Sequence, residues 1–313
     1  MTDDPFHGMR RIPDGVFRMG SDDHYPEEAP ARRVQVDGFW MDDGPVTNRQ
    51  FAAFVAATGH VTLAEEAPDP RDYPGARPEM LKPASLVFIK PPGPVDLRDI
   101  HNWWHYVFGA DWRHPLGPDS DLDGLDDHPV VHVAWRDAEA YAGWAGKSLP
   151  TEAEWEFAAR AGLEGAAFAW GETFLSEGRF MANTWQGRFP YENLAEDGYE
   201  RTSPVGAFPA NRYGLRDMIG NVWEWTNDWY AAAPDPARSC CTPRNPRGGA
   251  RDASFDPADP VSRIPRKVVK GGSHLCAPNY CRRYRPAARH PHAIDSPTSH
   301  IGFRCILRPT ALM

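Results

Sequence analysis

The chain has no long apolar run, no surplus of positive charge, few cysteines and no glycine-rich nucleotide loop. No stretch approaches the roughly 20 apolar residues needed to cross a bilayer. The acidic opening MTDDPFHGMR also lacks the apolar centre of a secretory leader. Both absences point to a cytoplasmic protein with no membrane partner. Lys and Arg total 34 against 43 Asp and Glu, a net charge of −9, which argues against nucleic acid as a partner. The five cysteines, Cys240, Cys241, Cys276, Cys281 and Cys305, form neither a disulfide framework nor paired C-x-x-C zinc knuckles. Without G-x-G-x-x-G, a Walker loop or an internal repeat, nucleotide-binding folds and solenoids are excluded.

What the chain has in excess is turn formers. Its 313 residues include 27 glycines and 32 prolines, well above the roughly 12% the two types contribute to an average chain. Disorder does not follow, because 41% of residues are hydrophobic and 12 are tryptophan, enough apolar surface to offset the entropy of ordering. The composition predicts one loop-rich globule over residues 1–313, with no linker to divide it.

Local signals place the regular elements. Alternation predicts strands at 14–19 and 33–41, the best later strand candidates are 268–273, 282–289 and 302–307, and residues 61–128 hold only a short apolar run at 86–89 that assigns no element. Thr47 with Gln50, and Thr151 with Glu154, form capping boxes at the heads of two helices that stop at Gly59 and Gly162. A third helix is predicted over 137–145, close enough in sequence to the Thr151 helix for the two to pack together. The second helix buries Trp155 and Ala158 on one side.

Two stretches between 61 and 128 imitate metal sites. HNWWH sets His101 and His105 at helical ligand spacing but lacks the glutamate of a zinc protease and reads as aromatic packing. Asp119, Asp121, Asp123 and Gly124 resemble the start of a calcium loop, yet its twelfth position is Val130, so a solvated acidic turn is expected.

The informative segment is GGSHLCAPNYCRRYRPAARH, residues 271–290. Cys276 and Cys281 face apart on either a helix or a strand. They meet only if the chain turns, and Pro278 and Asn279 are turn formers. Meeting sulfurs can form a disulfide, a redox pair or a metal site. A reducing cytoplasm disfavours the structural disulfide. His290 and His292 have the wrong spacing for zinc, and two thiolates with open positions suit Cu(I). Unpaired buried thiols are the remaining reading. Cys240 and Cys241 bridge only in a strained ring, and Cys305 reads as core.

VTNRQFAAFVAATGH, DWRHPLGPDS, HPVVHVAW, GKSLPTEAEWEFAARAG, NTWQG, YGLRDMIGNVWEWTNDWY, the cysteine segment and HIGFRC together resemble the formylglycine-generating enzymes, or sulfatase-modifying factors. The resemblance spans nearly the whole chain and is weakest over 61–105 and 230–265. GNVWEW and GFRC recur in a wider superfamily, whereas the paired cysteines are specific to the enzymes. The resemblance implies an irregular, loop-rich α+β single domain related to C-type lectin-like folds. It also implies oxidation of the cysteine in a sulfatase C-x-P-x-R motif to Cα-formylglycine, using O₂, Cu(I) and an external reductant, by a protein acting as a monomer on an unfolded or nascent sulfatase.

By resemblance, Cys276 and Cys281 hold copper, Ser273 is the active-site serine, and Trp223, Tyr280 and Arg283 line the site. Without the resemblance, Ser273 reads as part of a glycine turn and the aromatics as core. Structural calcium is implied at two sets, Asn183, Thr184, Asp197 and Tyr199, and Asp217, Gly220, Val222 and Glu224. Ala159 and Pro286 stand where secreted members carry disulfide cysteines, and Ala277 stands where some members have histidine. Two other readings compete. One is a lectin-like binding module, which does not need the cysteine pair. The other is an iron-dependent sulfoxide synthase domain, whose H-x3-H-x-E motif fails here at Val107.

Overall fold

The computed structural model describes residues 5–232, 242–259 and 263–309, so Cys240 and Cys241 lie outside the described residues. The elements are short and the connections long, as the glycine and proline content predicts. Strands β1 (Met9–Ile12), β2 (Gly15–Met19), β3 (Arg32–Val36) and β4 (Phe39–Asp42) open the chain, followed by helix α1 (Asn48–Thr58). Then come β5 (Ala84–Phe88), β6 (Trp104–Phe108), α2 (Trp135–Trp144) and α3 (Glu152–Arg160). The last strands are β7 (Trp223–Trp229), β8 (Arg266–Lys270), β9 (Arg289–Ala293), β10 (Ile301–Gly302) and β11 (Ile306–Leu307). They form a four-stranded sheet β10-β7-β8-β9, a three-stranded sheet β1-β4-β11, and the pairs β2-β3 and β5-β6. The architecture is the irregular α+β domain expected.

Both capping boxes form. The Thr47 N–H donates to Gln50 Oε1 at 2.9 Å, and the Glu154 N–H donates to Thr151 Oγ1 at 3.1 Å, each satisfying a helix-end donor. The strand predicted over 33–41 divides at Asp37–Gly38, where the chain leaves β2 for the sheet of β1 and β11. The strand predicted over 282–289 is irregular until Arg289, because residues 282–288 wrap the cysteine loop instead of pairing. The run 302–307 splits between two sheets as β10 and β11.

The expected packing of α2 on α3 gives way to α2 on α1 and α3 on β8, β2, β3 and β7. The linker explains this: Ser148 and Ile306 exchange backbone hydrogen bonds at 2.9 and 2.7 Å, which carries the chain across β11 before α3 begins. Helix α3 is buried all round, with Glu152, Glu154, Glu156 and Arg160 as well as Trp155 removed from water. Its charges are tolerated because each has a partner: Glu152 with Arg289 at 2.7 Å, Glu154 with Arg308 at 2.7 Å, and Glu156 with Lys270 at 3.0 Å.

Phe51, Phe54, Trp112, Tyr141, Trp155 and Phe303 anchor the main core. A second apolar cluster of Trp103, Trp185, Phe189, Leu275 and Ala277 packs directly under the cysteine loop. HNWWH is therefore a short 3₁₀ turn (Ile100–Asn102) followed by β6, not a helix, and buried Trp103 supplies the packing its aromatics predicted. Residues 119–124 form the exposed turn expected of them, and Val130 lies in the core. Among the described residues, no helix is long and apolar enough to cross a membrane.

Candidate active site

Strand β8 runs directly into Gly271-Gly272-Ser273. Gly272 has φ 72°, and a Cβ there would lie 2.9 Å from the backbone N and Cα of Tyr284. Only glycine lets the returning chain pass so closely. Two consecutive turns follow. The Ser273 carbonyl accepts the Cys276 N–H at 2.9 Å, and the Ala277 carbonyl accepts the N–H groups of Tyr280 and Cys281 at 3.2 and 2.9 Å. Asn279 pins the second turn, its amide donating to Phe189 O at 3.2 Å and its side-chain oxygen accepting the Phe189 N–H at 3.3 Å. The sulfurs of Cys276 and Cys281 thereby come to 3.4 Å, both as free thiols. The Pro278–Asn279 turn does what its sequence predicted.

The two thiols differ in surroundings. Cys276 is buried, and burial together with its hydrogen bond to Cys281 pushes its thiol well above the ordinary range. The same bond pulls Cys281 below its ordinary value, assisted by Arg283, whose Nη1 lies 3.8 Å from the Cys281 sulfur. The pair is thus set up as one thiol donating to one thiolate. Ser273 stands against Cys276, its N–H 3.4 Å from that sulfur, while its Oγ accepts the Leu275 N–H at 3.2 Å.

These groups open onto a cleft of about 550 Å³ whose lining includes Ser273, Trp223, Tyr280, Arg283 and both cysteines, so the structure gathers all the residues assigned to the thiol site. Tyr280 stacks on Phe189 with ring centroids 4.7 Å apart, and Trp103 meets Tyr280 edge-on at 5.4 Å. Trp223, at the start of β7, faces His290 across 5.8 Å. Sequence reasoning missed Phe189 and the wall of His290, His292 and His300. His290 and His292 drew notice only for zinc spacing, His300 only as the first residue of HIGFRC, and nothing near Phe189 marks it as a site residue. Burial lowers the His290 pKa to about 3, so this wall is uncharged at neutral pH. His105 is absent from the cleft lining, which separates it from His101.

The first calcium candidate set lies in the loops of residues 183–199, and the second runs from the loop before β7 to Glu224 within that strand. Asn183 Oδ1 and Thr184 Oγ1 are buried without a hydrogen-bond partner. Nearby, Asp197 Oδ2 accepts from the Thr184 N–H at 3.1 Å and from Gln186 Nε2 at 2.7 Å. In the second set, Asp217 Oδ1 is likewise orphaned, and burial raises the Asp217 pKa to about 6. Glu224 differs, since Arg304 bonds both its oxygens at 2.7 Å and Trp155 Nε1 donates to one of them at 2.8 Å. Among the described residues, no three His, Cys, Asp or Glu side chains cluster closely enough to hold a metal by themselves.

The fold and the site define a loop-built α+β domain that presents a two-thiol centre in the lining of an aromatic cleft. The chain belongs to the sulfatase-modifying factor enzyme 1-like family, whose model matches residues 2–309. It is 54% identical to a protein of Mycobacterium tuberculosis named formylglycine-generating enzyme, over 96% of this chain and 97% of that one. It is also 39% identical to a mouse protein named inactive Cα-formylglycine-generating enzyme 2, over 95% of this chain and 84% of that one. Among solved structures, PvdO from Pseudomonas aeruginosa shares the fold with a TM-score of 0.65 at 24% identity, over 96% and 94% of the two chains.

Proposed function

We propose that this protein oxidises a cysteine in the C-x-P-x-R motif of a sulfatase to Cα-formylglycine, with Cys276 and Cys281 as the ligands of a Cu(I) cofactor and O₂ as the oxidant. Family membership alone does not carry this reading, because one relative is named inactive. The observation that carries it is the pair of free sulfurs 3.4 Å apart, both cysteines lining the cleft. Two soft donors, with no third His, Cys, Asp or Glu side chain clustered with them among the described residues, suit Cu(I) and leave a position for an incoming thiolate, whereas a structural zinc site needs four ligands.

Bound copper supplies the one-electron chemistry that lets triplet O₂ react with a closed-shell thiol. The protein's own groups do the rest. The turn 276–281 presents both sulfurs toward the cleft, and Cys281 is the readier thiolate. Arg283 offsets negative charge at that sulfur. Trp103, Phe189, Tyr280 and Trp223 exclude water and orient the substrate cysteine, and Ser273 stands beside Cys276 to hold a water or an oxygen species by hydrogen bond. In the overall balance, R–CH₂SH, O₂, two electrons and two protons give R–CHO, H₂S and H₂O. The electron pair comes from the external reductant.

Calcium is proposed as a structural ion. The orphaned oxygens of Asn183, Thr184 and Asp217 support it, with Asp197 as carboxylate and Tyr199, Gly220 and Val222 as backbone donors. Glu224 fits this role less well, because both its oxygens are already taken by Arg304 and Trp155.

The test is to incubate Cu(I)-loaded protein with a C-x-P-x-R peptide under air and reductant and follow the aldehyde by mass spectrometry. Conversion by the wild type and none by Cys276→Ser or Cys281→Ser is expected. Undiminished product from Cys276→Ser would overturn the assignment.

A further inference from the structure

The cysteine loop is clamped by a segment from the opposite end of the chain. Residues 25–28, between β2 and β3, cross over residues 281–289. The Tyr25 ring lies 3.9 Å from the Arg283 guanidinium carbon, and the Tyr25 hydroxyl oxygen accepts the Arg282 N–H at 3.1 Å. Glu27 Oε1 accepts from Arg283 Nη2 at 2.6 Å and from Nε at 3.2 Å. Next to it, Glu28 forms a buried ion pair with Arg285, and the Glu27 carbonyl accepts from Arg289 Nη1 at 3.3 Å. With one edge on Glu27 and one face on Tyr25, Arg283 has a single direction left. Its Nη1 points to the Cys281 sulfur at 3.8 Å.

An arginine facing an open cleft loses rotamer freedom when held in one pose. The Glu27 edge contact and the Tyr25 stacking offset that loss, since the Arg283 and Glu27 side chains are only 20% and 18% exposed. The arrangement is an ion pair oriented with its cationic end at the sulfur. Glu27 therefore acts through geometry, because its own charge opposes that of the arginine.

We propose that Glu27 and Tyr25 are positioning residues that hold the Arg283 guanidinium at the Cys281 sulfur, making the segment between β2 and β3 part of the thiol centre. The proposal rests on reading that centre as a Cu(I) site.

The test compares wild type with Glu27→Ala, Glu27→Gln, Tyr25→Leu, Arg283→Met and the double variant Glu27→Ala/Arg283→Met. Cu(I) affinity is read by anaerobic competition with a chromogenic chelator, and Cys281 reactivity by iodoacetamide labelling at one fixed pH. Glu27→Ala and Arg283→Met are each expected to weaken Cu(I) binding roughly 5- to 10-fold and to slow labelling alike. The double variant should be no weaker than Arg283→Met alone, the non-additivity of residues acting as one unit. Glu27→Gln keeps an acceptor at the same place and should restore most of the loss. Tyr25→Leu reports independently if Glu27→Ala fails to fold. Additive losses, or unchanged affinity and labelling in Glu27→Ala, would overturn the positioning role. If the wild type binds no Cu(I), the copper reading falls, while the labelling series still decides whether Glu27 acts through Arg283.

Discussion

Asp217 is a buried carboxylate with one oxygen bonded and one bare, and replacing it with asparagine should change stability in opposite directions with and without calcium. Its Oδ2 accepts the Gly206 N–H at 2.7 Å, while Oδ1 has no partner. Burial raises its pKa from 3.8 to about 6, so in the calcium-free protein ionisation at neutral pH costs roughly 3 kcal/mol of folding free energy. Because the folded pKa lies above the unfolded one, the protonated group imposes no penalty below about pH 4. Stability is then lost as pH rises through about 6. Asp217→Asn keeps an oxygen for Gly206 but buries an unpaired NH₂, at about 1 kcal/mol. In EDTA at pH 7.5 the variant should therefore be about 2 kcal/mol more stable than wild type, a rise in Tm of around 3 °C for a chain of this size. The gain should vanish near pH 4. With millimolar calcium the wild type should gain stability by mass action and the variant should not, which reverses their order. Differential scanning fluorimetry across pH, with and without calcium, measures all three. A variant less stable than wild type in EDTA at pH 7.5, or a difference that does not change with pH, would refute the reasoning.

Two further perturbations follow from close packing. Gly220→Ala should destabilise the protein by roughly 2 kcal/mol or more, because φ is 76° and the added Cβ would collide with the Asn183 carbonyl; urea unfolding measures this. Arg304→Leu should cost about 3–5 kcal/mol by leaving Glu224 charged and buried, and Glu224→Gln in the same background should recover part of the loss in the same assay.

Much of the architecture was legible from short-range signals. The capping boxes at Thr47 and Thr151, the turn between Cys276 and Cys281, and the loop-rich composition each depend on residues within a few positions of one another. Local backbone geometry is enough to read them. Trp155 and Ala158 of α3 are buried as read, but the burial of its charged side was not legible, because its carboxylates are neutralised by Arg289, Arg308 and Lys270, all more than a hundred residues away. The same limit hid Phe189, which reaches Tyr280 only through the fold.

The sequence by itself determined that two cysteines five residues apart would meet on a turn, and that the chain would be an irregular globule with a family resemblance along nearly its whole length. Only the tertiary structure decided what surrounds those sulfurs. It brought Glu27 to Arg283 across 256 positions and set Arg304 against Glu224 across 80. Contacts at such separation have no characteristic spacing in the sequence. They depend on which loops the core brings together, and that is settled when Trp103, Trp185 and Phe189 pack beneath the cysteine loop.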